Sequence, residues 1–258
     1  MKSESEIIGS LAAVNIPGTE KILHQMKNCV CKIKIGKINA TGFFCKIPII
    51  NIIFLMTNFH VITEEYTKEN KEITILLNDD KEALRIDLTK ERKKYFSKEY
   101  DIAAIELKEN DGIKEYLELD DRIFKDNEKI YYEEKSIYIL QYLNGKNACV
   151  SYGILNKINN YDIIHLCSTD NGSSGSPILN LKNNKVIGIH KGAQNHTKDF
   201  NYGTLLKYPL NDFINKNKIR KNCINLKKTK NNLINQNKKR NIIIGEIYIN
   251  KNNINIDI

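Results

Sequence analysis

Short runs of β-type residues recur along most of this 258-residue chain, with turn residues between them. In the first half these runs are residues 29–35, 41–47, 52–57, 72–77, 83–88 and 101–107. In the second half they are residues 136–142, 149–158, 163–168, 178–181, 185–190 and 203–207. Few segments between these runs have helical periodicity. The pattern therefore predicts an all-β fold with two sets of about six strands, which suggests two antiparallel barrels.

The rest of the chain divides around these two sets of strands. We expect an N-terminal extension over 1–26 with a short helix near 18–27, and a double-barrel domain over 27–219 with barrels at about 27–110 and 135–207. A charged connection joins them, and Pro209 precedes a predicted short C-terminal helix over 210–219. A basic linker over 220–240 and a β-hairpin-like tail over 241–258 follow. This tail reads either as a truncated module or as a hairpin that depends on a partner strand.

The excess positive charge lies in one segment. The formal net charge is +9, yet residues 1–213 carry 29 basic and 29 acidic residues. Ten basic residues and no acidic one lie between 214 and 240. Such a run is typical of a solvated linker, and weak contact with nucleic acid or an anionic surface through 216–240 stays open as a lesser alternative.

The six cysteines favour free thiols in a reducing compartment. No C-x-x-C motif occurs, and the pair Cys29 and Cys31 has no matching Cys/His pair that would complete a zinc site. We therefore predict no metal and no cofactor. Residues 1–10 lack the apolar core of a signal peptide, and no run of about 18 apolar residues occurs. The expected location is the cytoplasm.

Three polar motifs stand in the order His, Asp, Ser, each where a predicted strand ends or begins. They are His60 in "MTNFHVI", Asp101 in "YDIAAI" and the loop "GSSGSP" that contains Ser174. Taken singly, His60 fits a structural histidine and Asp101 a strand-end acid. A phosphate-binding loop needs Lys after its glycines and a following helix, whereas Pro177 and a strand-like run follow here.

In this order the motifs resemble those of chymotrypsin-fold serine peptidases, over roughly residues 27–219. The loop resembles the family's GxSGxP motif, and the other two resemble its TxxH and DIA blocks. The resemblance implies two six-stranded barrels and hydrolysis of peptide bonds in proteins. It also implies Ser174 as nucleophile, His60 as general base, Asp101 as its orienting acid, and the N–H groups of Gly172 and Ser174 as the oxyanion hole.

A second resemblance concerns specificity. The segment "VIGIHKG" at 186–192 is similar to glutamyl endopeptidases, in which a histidine reads an acidic side chain. It implies that His190 and Thr169 form a pocket for Glu; picornaviral cysteine proteases use a similar pair to read Gln. Lys191, Gly192 and Ala193 would pair with the substrate backbone as an edge strand.

Two departures from the family pattern matter. Trypsin-type zymogens place an acid before the nucleophile, where this chain has Ser173, and no cysteine follows His60 to form the usual disulfide. The alternative function is a catalytically inactive protease-fold module that binds peptides or serves as a scaffold.

Overall fold

The computed structural model describes residues 11–193 and 200–216, and it confirms the all-β fold class with few helices. The interpretations of residues 1–10, of the linker at 220–240 and of the tail at 241–258 lie outside the described residues. So does the end of the predicted C-terminal helix, residues 217–219.

Helix α1, Ile16–Cys29, precedes the first strand. It begins at Asn15, whose side chain accepts the N–H of Gly18, and Pro17 occupies its first turn. It is longer than the helix predicted near 18–27. It also includes Cys29, which we had assigned to a strand, because its buried face of Ile22, Gln25, Met26 and Cys29 follows a helical spacing.

The first sheet contains eight strands rather than six. They are β1 Val30–Ile35, β2 Ile38–Ile47, β3 Ile52–Thr57, β4 Glu72–Leu77, β5 Glu82–Asp87, β6 Lys94–Ser97, β7 Ile102–Glu106 and β8 Leu117–Glu118. Their order is β5-β4-β1-β2-β3-β7-β6, with β8 parallel to β2. This sheet is open, whereas the sequence suggested a closed barrel.

The buried core of the first sheet is aliphatic with one large aromatic side chain. Among its fully buried members are Ile33, Phe44, Ile62, Ile75 and Ile86. Helix α2, Glu64–Glu69, begins at Thr63, whose hydroxyl accepts the N–H of Tyr66.

A buried ion pair holds the start of the connection between the two halves. Arg92 donates to both carboxylate oxygens of Asp111, at 2.5 Å and 2.9 Å, and to the Glu106 carbonyl at 2.7 Å. The Arg92 and Asp111 side chains are only 2% and 3% exposed. Farther along, the connection contains helix α3, Glu128–Tyr132.

The second half forms a closed barrel of six antiparallel strands, as predicted. The strands are β9 Ser136–Leu143, β10 Asn147–Asn159, β11 Asp162–His165, β12 Pro177–Asn180, β13 Lys185–Ala193 and β14 Asn201–Leu205. Their order around the barrel is β10-β11-β14-β13-β12-β9. The chain between β11 and β12 contains the serine-rich loop.

The chain separates into one unit up to Leu210 and a second from Asn211 onward. Residues 207–216 are helical (α4), in line with the predicted C-terminal helix. Pro209 lies in its first turn, where a missing N–H removes no helical hydrogen bond.

The five described cysteines are free thiols. Cys149 is half-buried, and the others are buried, which raises the pKa of Cys29 and of Cys167 to about 12. Among the described residues no cluster of three or more His, Cys, Asp or Glu could hold a metal ion. In the same part of the chain no helix is both long and apolar enough to span a bilayer.

Candidate active site

His60 lies in a tight turn directly after strand β3. The N–H groups of Val61 and Ile62 both donate to the Asn58 carbonyl, at 3.2 Å and 3.1 Å. The Val61 and Ile62 side chains are buried, so they anchor the turn in the first sheet. The His60 side chain itself is 49% exposed and accessible to a ligand.

Asp101 directly precedes strand β7, which pairs with β3 so that Thr57 lies opposite Ala103. Because the two strands are antiparallel, the residues after β3 and those before β7 meet at one end of the sheet. Asn58 Nδ2 donates to the Asp101 carbonyl at 2.9 Å. The φ angle of Asp101 is +52°, a left-handed conformation that Asp tolerates better than most residues.

The Asp101 carboxylate holds His60 through two hydrogen bonds. His60 Nδ1 lies 2.8 Å from Oδ2, and the His60 backbone N–H donates to Oδ1 at 3.0 Å. Because an ionised carboxylate oxygen only accepts, the imidazole carries its hydrogen on Nδ1. The ring therefore presents a basic lone pair at Nε2, as a general base requires.

Ser174 lies in the loop between β11 and β12, and Thr41 of strand β2 fixes this loop to the first sheet. The Thr41 N–H donates to the Ser174 carbonyl at 2.9 Å. The Thr41 hydroxyl donates to the Gly172 carbonyl at 2.8 Å and accepts the Tyr142 N–H at 3.0 Å. At Gly175, with φ of +86°, a Cβ atom would lie 2.1 Å from the Thr41 carbonyl oxygen, so this close approach requires glycine.

The N–H groups of Gly172 and Ser174 are both available to a ligand. The Asn144 N–H donates to the Asn171 carbonyl at 2.5 Å. In a trans peptide the C=O and N–H point in opposite directions, so the Gly172 N–H faces away from Asn144. Within residues 11–193 and 200–216, neither N–H donates to a protein acceptor. Two unpaired donors, two residues apart in one tight loop, can stabilise a developing oxyanion where both point to it.

The Ser174 hydroxyl donates to the Lys191 carbonyl at 3.4 Å. In the described part of the chain no hydrogen bond joins it to His60. A donor–acceptor distance of 3.4 Å marks a weak hydrogen bond, and rotation about the Cα–Cβ bond of Ser174 breaks it. Long contacts of this kind are common in unliganded active sites.

Ser173, at the position where zymogens carry an acid, closes the loop on itself. Its side chain is buried, and its hydroxyl oxygen accepts the Asp170 N–H at 3.0 Å. Its own N–H donates to the Asp170 carbonyl at 3.0 Å, and the Ser176 N–H donates to the Ser173 carbonyl at 3.1 Å. The loop is therefore ordered without an acidic latch.

A cavity of about 700 Å³ opens beside Ser174. The second barrel contributes Thr169, Asp170, Asn171, Gly172, His190, Gly192 and Ala193 to its lining, and the first sheet contributes Lys37, Ile38 and Asn39. Lys191, also predicted to bind substrate, turns its side chain away to pair with Asp162 at 2.5 Å. Only its backbone carbonyl faces the Ser174 hydroxyl.

A second cavity of about 700 Å³ is lined by the segment before α1 and by residues of the second barrel, among them Asn15, Ser136 and Leu181. None of the predicted site residues lines it. Ser174, Thr169 and His190 instead line the cavity beside Ser174.

His190 packs against a second buried histidine, His165 of strand β11. His165 Nε2 lies 3.2 Å from His190 Nδ1, and the ring centroids are 5.3 Å apart. Burial lowers the pKa of His165 to about 3. Burial, followed by the charges of His165 and His60, holds the pKa of His190 well below its usual value, and the Tyr202 carbonyl opposes this effect. Both buried rings are uncharged at neutral pH.

Four residues that sequence reasoning did not single out support this site. They are Thr41, Asn144, His165 and Asn201, which contact the serine-rich loop or the residues that line the cavity. Only His165 carried a sequence signal, since a histidine inside an otherwise apolar strand is unusual.

The first sheet and the second barrel are the two β units of this chain. A His–Asp pair at the end of the first and a serine-rich loop in the second are typical of trypsin-like serine proteases. The model of the trypsin-like peptidase domain family matches residues 40–189. The chain belongs to this family.

Solved structures show the same fold at low sequence identity. The serine endoprotease from Yersinia pestis is 12% identical with a TM-score of 0.58, over 81% of this chain and 68% of that one. The active form of the Rv3671c protease from M. tuberculosis is 16% identical with a TM-score of 0.53, over 77% and 85%. The HtrA-type protease AlgW with tripeptide is 14% identical with a TM-score of 0.54, over 74% and 61%. No curated protein sequence is similar to the chain.

Proposed function

We propose that this protein is a serine endopeptidase with His60, Asp101 and Ser174 as its catalytic triad, cutting after Glu or Gln. The observation that carries the proposal is the His60–Asp101 pair, bonded at 2.8 Å, in a fold that presents Ser174 beside two unpaired N–H groups. The resemblance to glutamyl endopeptidases adds the specificity, which the family match leaves open.

The geometry supports acyl transfer in two steps. In the first, Ser174 Oγ attacks the substrate carbonyl carbon while His60 Nε2 takes its proton. The oxyanion that forms accepts hydrogen bonds from the N–H groups of Gly172 and Ser174. His60 then gives its proton to the leaving amine as the carbon–nitrogen bond breaks, which leaves an acyl-enzyme.

In the second step water attacks the acyl-enzyme ester and His60 takes the proton of the water. The tetrahedral oxyanion again accepts from Gly172 and Ser174. His60 returns a proton to Ser174 Oγ as the ester bond breaks, and the carboxylic acid product leaves. Asp101 stays ionised and stabilises the imidazolium formed in both steps.

The specificity part of the proposal rests on the cavity. His190 and Thr169 both line it beside the nucleophile, so a long polar side chain entering there meets an imidazole and a hydroxyl. Gly192 and Ala193 of strand β13 also line the cavity, which supports the proposal that they pair with an extended substrate backbone.

The direct test is peptide hydrolysis by the full chain, with cleavage sites mapped by mass spectrometry in a peptide library. Ser174→Ala should lower kcat by about 10⁴-fold or more. A fluorophosphonate should label Ser174. The exposed Ser168 at the start of the same loop supplies the matched control, because Ser168→Ala should keep both activity and labelling.

Two outcomes would contradict parts of the proposal. Undiminished hydrolysis by Ser174→Ala would exclude the triad, whereas cleavage after Lys, Arg or large apolar residues would exclude the Glu or Gln pocket. Peptide binding without turnover or labelling in the unmodified chain would support the inactive-module alternative, which the intact His60–Asp101 pair disfavours.

A further inference from the structure

Asn201 fixes the direction in which the Thr169 hydroxyl points its hydrogen. Asn201 Nδ2 donates to the Cys167 carbonyl at 2.9 Å, which orients the side-chain amide. Its Oδ1 then lies 2.7 Å from Thr169 Oγ1. Because an amide oxygen only accepts, Thr169 donates its single hydroxyl hydrogen to Asn201. The Thr169 oxygen is left with acceptor lone pairs alone.

The same reasoning makes the His190 ring a hydrogen-bond donor, whereas the Thr169 oxygen is an acceptor. The Cys167 N–H donates to His165 Nδ1 at 3.3 Å, so neutral His165 carries its hydrogen on Nε2. That hydrogen points to His190 Nδ1, 3.2 Å away, which accepts it. His190 therefore carries its own hydrogen on Nε2, and this buried, uncharged ring is a donor for which the Tyr202 carbonyl and a substrate oxygen compete.

The charged groups around the cavity do not favour an anion. Asp170 and Lys37 both line it, one of each sign. Asp170 is the neighbour of Thr169 in sequence, and it accepts from the Asn171 N–H at 2.7 Å and from Asn144 Nδ2 at 3.2 Å. Lys191, the basic residue next to His190, pairs with Asp162 outside the cavity.

We propose that this pocket selects glutamine over glutamate at the residue that supplies the carbonyl of the scissile bond. This inference rests on the proposed peptidase function. A carboxamide presents one acceptor and one donor, which match the His190 N–H and the Thr169 oxygen. A carboxylate has acceptors only, so it meets the Thr169 lone pairs with no hydrogen between them. Asn201, which sets this polarity through Thr169, is a positioning residue for specificity.

Two peptides that differ only in Gln or Glu at that position test the inference. We expect kcat/KM near neutral pH to favour Gln by at least about tenfold, the factor expected for one lost hydrogen bond in a partly buried pocket. A third peptide with Met, which has a similar length and no hydrogen-bonding group, gives the baseline. Equal or faster cleavage of the Glu peptide would overturn the inference.

Variants separate polarity from general damage to the pocket. Asn201→Ala frees the Thr169 hydroxyl hydrogen to donate to a carboxylate, so the Gln-to-Glu ratio of kcat/KM should fall toward one. Thr169→Val should lower the ratio too, whereas Thr169→Ser should preserve it. If Asn201→Ala fails to fold, the comparison of Thr169→Val with Thr169→Ser still tests the inference. An unchanged ratio in Thr169→Val would overturn the inference.

Binding to Ser174→Ala separates this inference from the proposed catalysis. Fluorescence anisotropy of the labelled Gln and Glu peptides reports the pocket even without turnover, and we expect at least tenfold tighter binding of the Gln peptide. Selective binding without hydrolysis by the unmodified chain would refute the catalytic proposal alone. Hydrolysis without a Gln preference would refute the selectivity alone.

Discussion

Replacing Thr41 with valine removes the hydroxyl that links the two β units while nearly preserving the shape of the side chain. Thr41 is fully buried. Its hydroxyl accepts the Tyr142 N–H at 3.0 Å and donates to the Gly172 carbonyl at 2.8 Å. In Thr41→Val both of these backbone groups lose a partner, because a methyl group neither donates nor accepts.

The magnitude follows from the burial of those groups. A buried polar group left without a partner costs about 1–3 kcal/mol, and the half-exposed Gly172 belongs at the lower end of that range. We therefore expect Thr41→Val to lower the free energy of unfolding by about 2–4 kcal/mol. At about 2–4 °C per kcal/mol for a domain of this size, Tm should fall by roughly 4–16 °C.

Urea denaturation followed by far-UV circular dichroism measures the change in stability, since the chain has no tryptophan. Thr41→Ser is the matched control: it keeps the hydroxyl, loses one methyl group and should cost only about 1 kcal/mol. At temperatures where both variants are folded, kcat should fall more in Thr41→Val, because Gly172, which loses the partner of its carbonyl, shifts and carries its N–H with it. Equal stability of the two variants would refute the reasoning.

Three further predictions concern other parts of the chain. Asp101→Asn should lower kcat by about 10⁴-fold with an unchanged circular dichroism spectrum, because the imidazole then adopts the wrong tautomer. Arg92→Met should destabilise the fold by about 3–5 kcal/mol in urea denaturation by stranding the buried Asp111 carboxylate, and adding Asp111→Leu should recover most of that loss. The folded-state pKa values of His165 and His190 lie below the unfolded value of about 6.5, so the unfolded chain binds more protons in acid. Stability should thus be complete above about pH 6.5 and fall below it by at most about 1.4 kcal/mol per pH unit for each histidine, with a shallower slope in His165→Gln.

The candidate triad could be read from the sequence because each member sits in a local pattern. His60 follows an apolar run, Asp101 opens one, and Ser174 lies between glycines that only a tight loop needs. The structure places His60 and Asp101 in direct contact because strands β3 and β7 are neighbours.

Asn201, which sets the polarity of the pocket through Thr169, and Thr41, which holds the serine-rich loop, could not be read in this way. Asn201 and Thr169 are 32 residues apart, and Thr41 meets Gly172 across 131 residues. Their sequence neighbourhoods are ordinary, and their roles exist only after strands of the two β units have come together. A single hydrogen bond to a carbonyl far along the chain produces no periodic pattern in the sequence.

The fold class could be predicted from the sequence, but the bounds of individual helices and strands were predicted less well. Strand β6, Lys94–Ser97, was missed because it is four residues long and follows a charged run. Cys29 was assigned to a strand because the next two residues, Val30 and Cys31, are strand residues. The helical face that Cys29 completes begins seven residues earlier, at Ile22.

The distribution of the site over two β units has a consequence for the order in which the chain acquires activity during synthesis. His60 and Asp101 leave the ribosome with the first sheet, long before Ser174. The second barrel closes only when strand β14, Asn201–Leu205, pairs with β11 and β13. With the triad proposed above, a nascent chain that ends before about residue 205 would hold the base without an ordered nucleophile, so it could not cut itself or its neighbours until the second barrel has closed.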